Sequence, residues 1–130
     1  MTAEKIFVDT DILIDVARKN PRALDFWFRV ESKGSIVCSV ISVFELLAGC
    51  RTLQEQRTTL KSLSVVSIVQ IESGDSLEAL QWYRSLHLAR GVGFLDCLIA
   101  AAASRLGCVL HTANIKHFRV LPGLRIKLPY

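Results

Sequence analysis

The sequence predicts an α/β fold in three layers, with helices on both faces of a central, mostly parallel sheet of four to five strands. Three observations carry that prediction. Short β-branched runs alternate with helical stretches along the 130 residues. The runs are apolar without polar alternation, as strands buried on both faces read. Acids stand where strand gives way to helix, the edge at which open α/β sheets bind ligands.

Ile6-Phe7-Val8 reads as a short buried strand that passes through Asp9-Thr10-Asp11 into an amphipathic helix from Ile12 to about Lys19, stopped by Asn20-Pro21. Pro21 suits the first turn of a second helix carrying Leu24, Phe26, Trp27, Phe28 and Val30, because its missing N–H would be unpaired there anyway. Gly34 closes this hairpin, and Ser35 to Val40 reads as a second buried strand. Ser42-x-x-Glu45 has the capping-box pattern and opens a helix through Leu46, Leu47 and Ala48 to Gly49. The polar stretch Thr52 to Lys61 continues as an exposed helix. Val65 to Ile71 is a third strand by composition, after which Asp75-x-x-Glu78 caps a helix carrying Leu77, Leu80, Tyr83 and Leu86. Gly91-Val92-Gly93 interrupts the pattern. Leu95, Leu98, Ile99, Ala102 and Leu106 then recur at helical spacing, with Asp96 in the first turn and Gly107 just past the end. Cys108 to Leu110 makes a fourth strand, Thr112 to Phe118 a loop with a short helix, and Leu124 to Leu128 an edge strand ended by Pro129.

A chain of this length makes one compact domain over 1–130, and 51% hydrophobic residues are ample for its core. Neither a repeat nor an interdomain linker interrupts it. The formal net charge is +4, with Arg51, Arg57, Arg84, Arg90, Lys116 and Arg119 among its basic residues. Taken alone this is a solvated surface with a small cationic surplus. Beside a cluster of acids it favours a polyanionic partner. Cys38, Cys50, Cys97 and Cys108 show no C-x-x-C spacing and lie in apolar stretches, so they read as buried small hydrophobes rather than zinc ligands or disulfides. Glu4 precedes Lys5 and the strand after them is too short for a signal sequence, while the longest apolar run, Cys97 to Ala103, falls far short of a membrane span. The expectation is a soluble, cytoplasmic protein without a membrane partner.

Asp9, Asp11, Glu45 and Asp96 each sit at a strand–helix junction or early in a helix. Each has an ordinary explanation, since carboxylates accept from free N–H groups at helix N-termini. Asp11 fits that role well, Glu45 could answer Ser42 in a capping box, and Asp96 could be a first-turn acid. Asp9 ends a strand instead. Jointly, the acids follow strands one and two and precede strand four, all on one predicted sheet edge. Independent caps have no need to converge, and converging carboxylates repel unless a cation lies between them. An all-oxygen cluster suits Mg²⁺ or Mn²⁺. After strand four, the Asn114 carboxamide could ligate or orient a water, and His117 reads as a surface residue at a loop–helix junction. His87 and His111 receive no role.

Four segments are Phe7-Val8-Asp9-Thr10-Asp11-Ile12-Leu13-Ile14, Ser39-Val40-Ile41-Ser42-Val43-Phe44-Glu45-Leu46, Phe94-Leu95-Asp96-Cys97-Leu98-Ile99-Ala100-Ala101 and His111-Thr112-Ala113-Asn114-Ile115-Lys116-His117-Phe118. In these, taken in order, the chain resembles the PIN-domain ribonucleases of the VapC type, toxins of toxin–antitoxin pairs, over nearly its full length. The resemblance implies a single PIN domain over 1–130. It makes Asp9, Glu45 and Asp96 the metal-binding acids, with Asn114 where many PIN domains place a fourth acid, and one well-held Mg²⁺, with Mn²⁺ able to replace it. Asp11, Thr112 and His117 are supporting residues. It also implies a homodimer, an RNA substrate, and a cognate antitoxin whose C-terminal segment lies in a groove and inserts a basic side chain near the acids. A helix cannot turn all of Phe26-Trp27-Phe28 inward, so part of that cluster is expected to face a partner, with Trp27 as the residue to test.

Both lines lead to in-line hydrolysis of a phosphodiester by an activated water, on single-stranded or loop RNA whose unstacked nucleotides enter a deep acidic pocket. Two rivals stand beside it. Asp9-x-Asp11 also resembles the nucleophile motif of haloacid dehalogenase-type phosphatases, although Leu13 stands where Thr or Val is usual and Asp96 where a pair of acids is usual. A catalytically silent PIN-like module that binds RNA or protein is the other.

Overall fold

The computed structural model describes residues 4–130. In chain order they form β1 (Glu4–Val8), α1 (Thr10–Ala17), α2 (Pro21–Glu31), β2 (Gly34–Ser39), α3 (Val40–Ala48), α4 (Leu53–Ser62), a 3₁₀ turn (Leu63–Val65), β3 (Ser67–Val69), α5 (Ser73–Arg90), α6 (Phe94–Arg105), β4 (Leu110–His111), α7 (Ile115–Phe118) and β5 (Ile126–Lys127). The five strands described lie in the order β3-β2-β1-β4-β5, and every pairing is parallel. The expected α/β/α architecture is present, with a sheet that is parallel throughout these strands.

Side chains alternate across a strand with a period of two. Phe7, Val37 and Leu110 therefore share one face, buried with Ala79 and Trp82 of α5, with Cys97, Ile99 and the Ala100 to Ala103 run of α6, and with Phe118. Ile6, Val8, Ile36 and Cys38 share the other, packed with Ile12 and Leu13 of α1, Phe26 and Val30 of α2, and Leu63 and Val66. The alanines of α6 are almost wholly buried, and their small side chains let a helix approach its neighbours closely without leaving a void.

β1 lies at the centre, with β2 on one side and β4 on the other. The chain thus reverses its direction of travel across the sheet beside β1, which opens a crevice at the strand C-termini between β1 and β4.

Several local expectations change on inspection. Gly34 begins β2 rather than closing a turn. It lies opposite Glu4, where a Cβ would collide with the Glu4 carbonyl. α3 begins at Val40 with Ser39 as its N-cap, the Ser39 hydroxyl accepting from the Ile41 N–H at 3.1 Å, so Ser42 lies inside the helix and caps nothing. α5 begins at Ser73 after Glu72, and Asp75 sits in its first turn rather than at its cap. Asp75 is 2% exposed. It accepts from the Glu72 N–H and from the Arg105 guanidinium, with Arg105 Nε 2.9 Å from Oδ1 and Nη2 3.2 Å from Oδ2, so the acid clamps α5 to the end of α6. The third strand is cut to Ser67–Val69 because Leu63–Val65 closes a 3₁₀ turn. In the aromatic cluster of α2, Phe26 is buried, Trp27 is half-buried against the α1/α2 face of the core, and Phe28 is 66% exposed. The outward residue is Phe28, and a charge at Trp27 would burden the fold itself.

All four cysteines are free thiols, Cys38 and Cys97 buried, Cys50 and Cys108 half-buried. No helix among the described residues is long and apolar enough to cross a membrane.

Gly34→Ala should destabilise the protein by about 1–3 kcal/mol, the usual cost of forcing atoms into a filled space. An unchanged urea midpoint would show that the β1–β2 register tolerates a side chain there.

Candidate functional site

β1 ends at Val8 and α1 starts at Thr10, so Asp9 is both the residue that leaves the strand and the N-cap of the helix. Its backbone N–H donates to the His111 carbonyl at 2.9 Å, which carries the β1–β4 pairing one residue further. Asp9 is 5% exposed. One carboxylate oxygen, Oδ1, accepts from the Thr10 N–H at 2.8 Å, and the other, Oδ2, accepts from the Thr112 hydroxyl at 2.8 Å. Thr112 follows β4, so this bond spans the crevice of the topological switch.

Asp11 lies in the first turn of α1. Its Oδ2 accepts from the Ala113 N–H at 3.0 Å and lies 3.5 Å from the Thr112 hydroxyl. Its Oδ1 is the one buried side-chain nitrogen or oxygen without a hydrogen-bond partner among the described residues. A buried acceptor left bare costs free energy, so it marks a place for a cation or a donor.

Glu45 reaches the same edge from α3. The Thr10 hydroxyl donates to Glu45 Oε1 at 2.7 Å and lies 2.8 Å from the Ser42 hydroxyl. Because the Thr10 proton is committed to the carboxylate, Ser42 donates to Thr10, giving a relay Ser42 to Thr10 to Glu45. Ser42 and Glu45 are three residues apart on one helix face, and that spacing, read from sequence as a capping box, is what seats the relay. Thr10 was missed in the sequence, where only its place between two acids could have singled it out.

Asp96 enters from the first turn of α6, capped by Gly93. Its Oδ2 lies 3.8 Å from His117 Nδ1, and that ring nitrogen lies 2.9 Å from Asn114 Nδ2. His117 therefore lies beside Asp96 and Asn114. His111 is elsewhere, its Nδ1 3.2 Å from the Phe7 carbonyl and its ring against Phe26. His87 stacks on Tyr83 with ring centroids 4.2 Å apart.

The acids sense one another. Burial and then the charge of Asp11 push the Asp9 carboxyl up to about 7, with Asp96 adding to the rise and the Thr112 and Thr10 hydrogen bonds opposing it. Asp11 is raised mainly by burial, opposed by the Ala113 N–H. Asp96 is raised by burial and then by Glu45. Mutual repulsion of this kind is what a divalent cation relieves.

As the side chains stand, no group of three or more His, Cys, Asp or Glu among the described residues is gathered tightly enough to hold a metal ion. The donor set nevertheless fits a hard cation by chemistry, being all oxygen, partly desolvated and left with a bare Asp11 Oδ1. Asp9, Glu45 and Asp96 are the carboxylates that would hold it, reaching this edge from α1, α3 and α6.

Residues 6–123 match the family model described as the PIN domain. Two curated relatives from Mycobacterium tuberculosis are each 31% identical: Ribonuclease VapC10 over 122 residues, 92% of this chain and 90% of the relative, and Ribonuclease VapC19 over 123 residues, 91% and 95% respectively. Among solved structures, VapBC2 from Rickettsia felis, bound to a DNA fragment from its promoter, superposes with a TM-score of 0.80 at 23% identity, covering 95% of this chain and 97% of that one. At that identity the likeness is one of fold.

The raised Asp9 has a consequence for stability. Its value in the fold, about 7, exceeds its ordinary 3.8, so its contribution is complete below 3.8 and is lost as pH rises through 7. Asp9→Asn should therefore make the cation-free protein more stable than wild type at about pH 8, by on the order of a few kcal/mol, with the gap closing near pH 4. Parallel denaturation curves at all pH values would contradict the assigned environment of Asp9.

Proposed function

The chain belongs to the PIN domain family, and from that premise we propose that it is a metal-dependent endoribonuclease, the toxin of a toxin–antitoxin pair, that hydrolyses phosphodiester bonds in single-stranded or loop RNA. The observation that carries the reading is the arrival of Asp9, Glu45 and Asp96, from three separate elements, at one crevice whose buried Asp11 Oδ1 lacks a partner. The Mycobacterium tuberculosis relatives are named ribonucleases, which supports the substrate class.

In this reading Asp9, Glu45 and Asp96 hold Mg²⁺ or Mn²⁺. When bound, the cation supplies Lewis-acid polarisation of the scissile phosphoryl group and lowers the pKa of an attacking water. The chain's own residues set the geometry. Thr112 and the Thr10 N–H fix the two oxygens of Asp9, and the Ser42–Thr10 relay aims Glu45. The crevice opens at the ends of strands, so a nucleotide must leave its stack to reach it, which favours unpaired RNA. Exposed Lys116 and Arg119 on the adjoining α7 segment would hold the flanking backbone.

The antitoxin partner is supported by structure neighbours that are VapBC toxin–antitoxin complexes. A groove of about 580 Å³ runs between α1, α3 and α4 past Ile14, Arg18, Leu46 and Arg51 and reaches Glu45, a path by which a bound segment could occlude the acids. A homodimer accords with the outer face of α5, where Leu77, Leu80 and Leu88 are 70%, 55% and 89% exposed, more apolar surface than an isolated helix face usually shows to water.

The test is cleavage of total cellular RNA by antitoxin-free protein with Mg²⁺, with Mn²⁺ and with chelator. Discrete fragments are expected only with a cation, none from Asp96→Asn or Asp9→Asn, and no release of phosphate from a generic phosphomonoester. Cleavage by folded Asp96→Asn would refute the site, and silence of the wild type under every condition would favour a binding module. Thr10→Val, which keeps the shape and removes the relay, should cost roughly 10–100-fold in activity, as loss of a partner that orients a ligand does. Full activity in that variant would show that Glu45 needs no such hold.

A further inference from the structure

Two side chains at the crevice rim remain without a role in this scheme, Asn114 and His117. We propose that Asn114 is a positioning residue that holds the His117 imidazole with its proton on Nε2, and that this N–H, turned away from the acids, donates to a phosphate oxygen of the RNA beside the scissile bond. The RNA half of the inference rests on the nuclease reading; the tautomer half does not.

Asn114 is held at three points. Its backbone N–H donates to the Thr112 hydroxyl oxygen at 2.9 Å, its carbonyl accepts from the His117 N–H at 3.3 Å, and its Nδ2 lies 2.9 Å from His117 Nδ1. An amide nitrogen can only donate, so Nδ1 is the acceptor, and a neutral imidazole with a bare Nδ1 carries its proton on Nε2. Asp96 Oδ2, at 3.8 Å from the same Nδ1, is too far to compete as a hydrogen-bond partner.

Nε2 lies across the ring from Nδ1, so a ring that turns Nδ1 toward Asn114 and Asp96 turns Nε2 outward. The His117 side chain is 45% exposed, and its neighbours Lys116, on α7, and Arg119, just past its end, are exposed cations. A fixed neutral donor beside two exposed cations is suited to one phosphate oxygen: the cations supply attraction without direction, and the ring supplies direction. Thr112 links the arrangement to Asp9, because the hydroxyl that accepts from Asn114 also donates to Asp9 Oδ2. The carboxamide Nδ2 is thus engaged with the ring beside the acids.

Gln can present a side-chain N–H where His has Nε2, whereas Asn reaches only the Nδ1 position. With a short RNA spanning a cleavage site mapped for the wild type, His117→Ala and Asn114→Ala should raise KM roughly tenfold with kcat little changed, as loss of one hydrogen bond to a charged group does. His117→Gln should recover most of that loss and His117→Asn none. Recovery by Asn and not by Gln, or a fall in kcat in place of the rise in KM, would overturn the proposal. Nitrogen-15 NMR of the metal-free protein, above the titration of the ring, decides the tautomer without RNA: Nε2–H is expected in the wild type with the bias lost in Asn114→Ala, and an Nδ1–H ring refutes it. Wild-type protein that cuts no RNA would end the nuclease reading and the phosphate contact together, leaving NMR to judge the Asn114–His117 bond alone.

Discussion

The hydrogen bond from Thr112 to Asp9 is the contact on which the crevice depends. Its two residues follow β1 and β4, strands that are neighbours only because the chain, after laying β2 and β3 on one side of β1, crosses to the other. Parallel pairing then brings both strand ends to the same edge. At that edge a carboxylate is buried, and burying a carboxylate is costly unless donors surround it. Thr10 and Thr112 supply them. Helix α1, the approach of Ala113 to Asp11, and the placement of Asn114 by Thr112 all follow from this one junction.

The arrangement is a compromise between stability and function. Asp9, Asp11 and Asp96 each lose water and gain like-charged neighbours, and their raised carboxyl groups are the signature of that strain. The same charges that oppose the fold would be relieved by a cation, which is what the proposed function asks of them. The large shared core offsets it: β1 is buried on both faces, and the Asp75–Arg105 clamp secures α5 against α6 at a distance from the site. The remainder of the chain is cationic, so the acidic crevice belongs to a molecule whose formal net charge is +4.

Much of this was legible in sequence. The apolar runs around Phe7 and Val37 have the composition of strands covered on both sides, and they are. Gly107 adopts a left-handed φ of 66° just past α6, as a helix-ending glycine does. Helix starts were read less well, because a Ser or Asp followed three residues later by an acid looks the same at a cap as inside a first turn. Ser42 reads as a cap, while Ser39, also hydroxylic and earlier in the chain, does the capping. Asp75 reads as a cap but stands three residues later, as the reciprocal member of a capping box, its carboxylate accepting from the Glu72 N–H and also from Arg105, thirty residues away. Trp27 and Phe28 could not be told apart by period alone, since which one faces water depends on how α2 rolls against α1.

The sequence by itself determined which residue types stand at the strand ends and that the strands must be parallel and covered, since local periodicity and turn chemistry act over a few residues. Only the tertiary structure decided which hydroxyl holds which carboxylate, that His117 joins Asp96 and Asn114 while His111 does not, and that Asp11 Oδ1 is left bare. The longest of these contacts joins residues 103 positions apart, and their partners are set by the crossover and by side-chain packing, which no local pattern encodes.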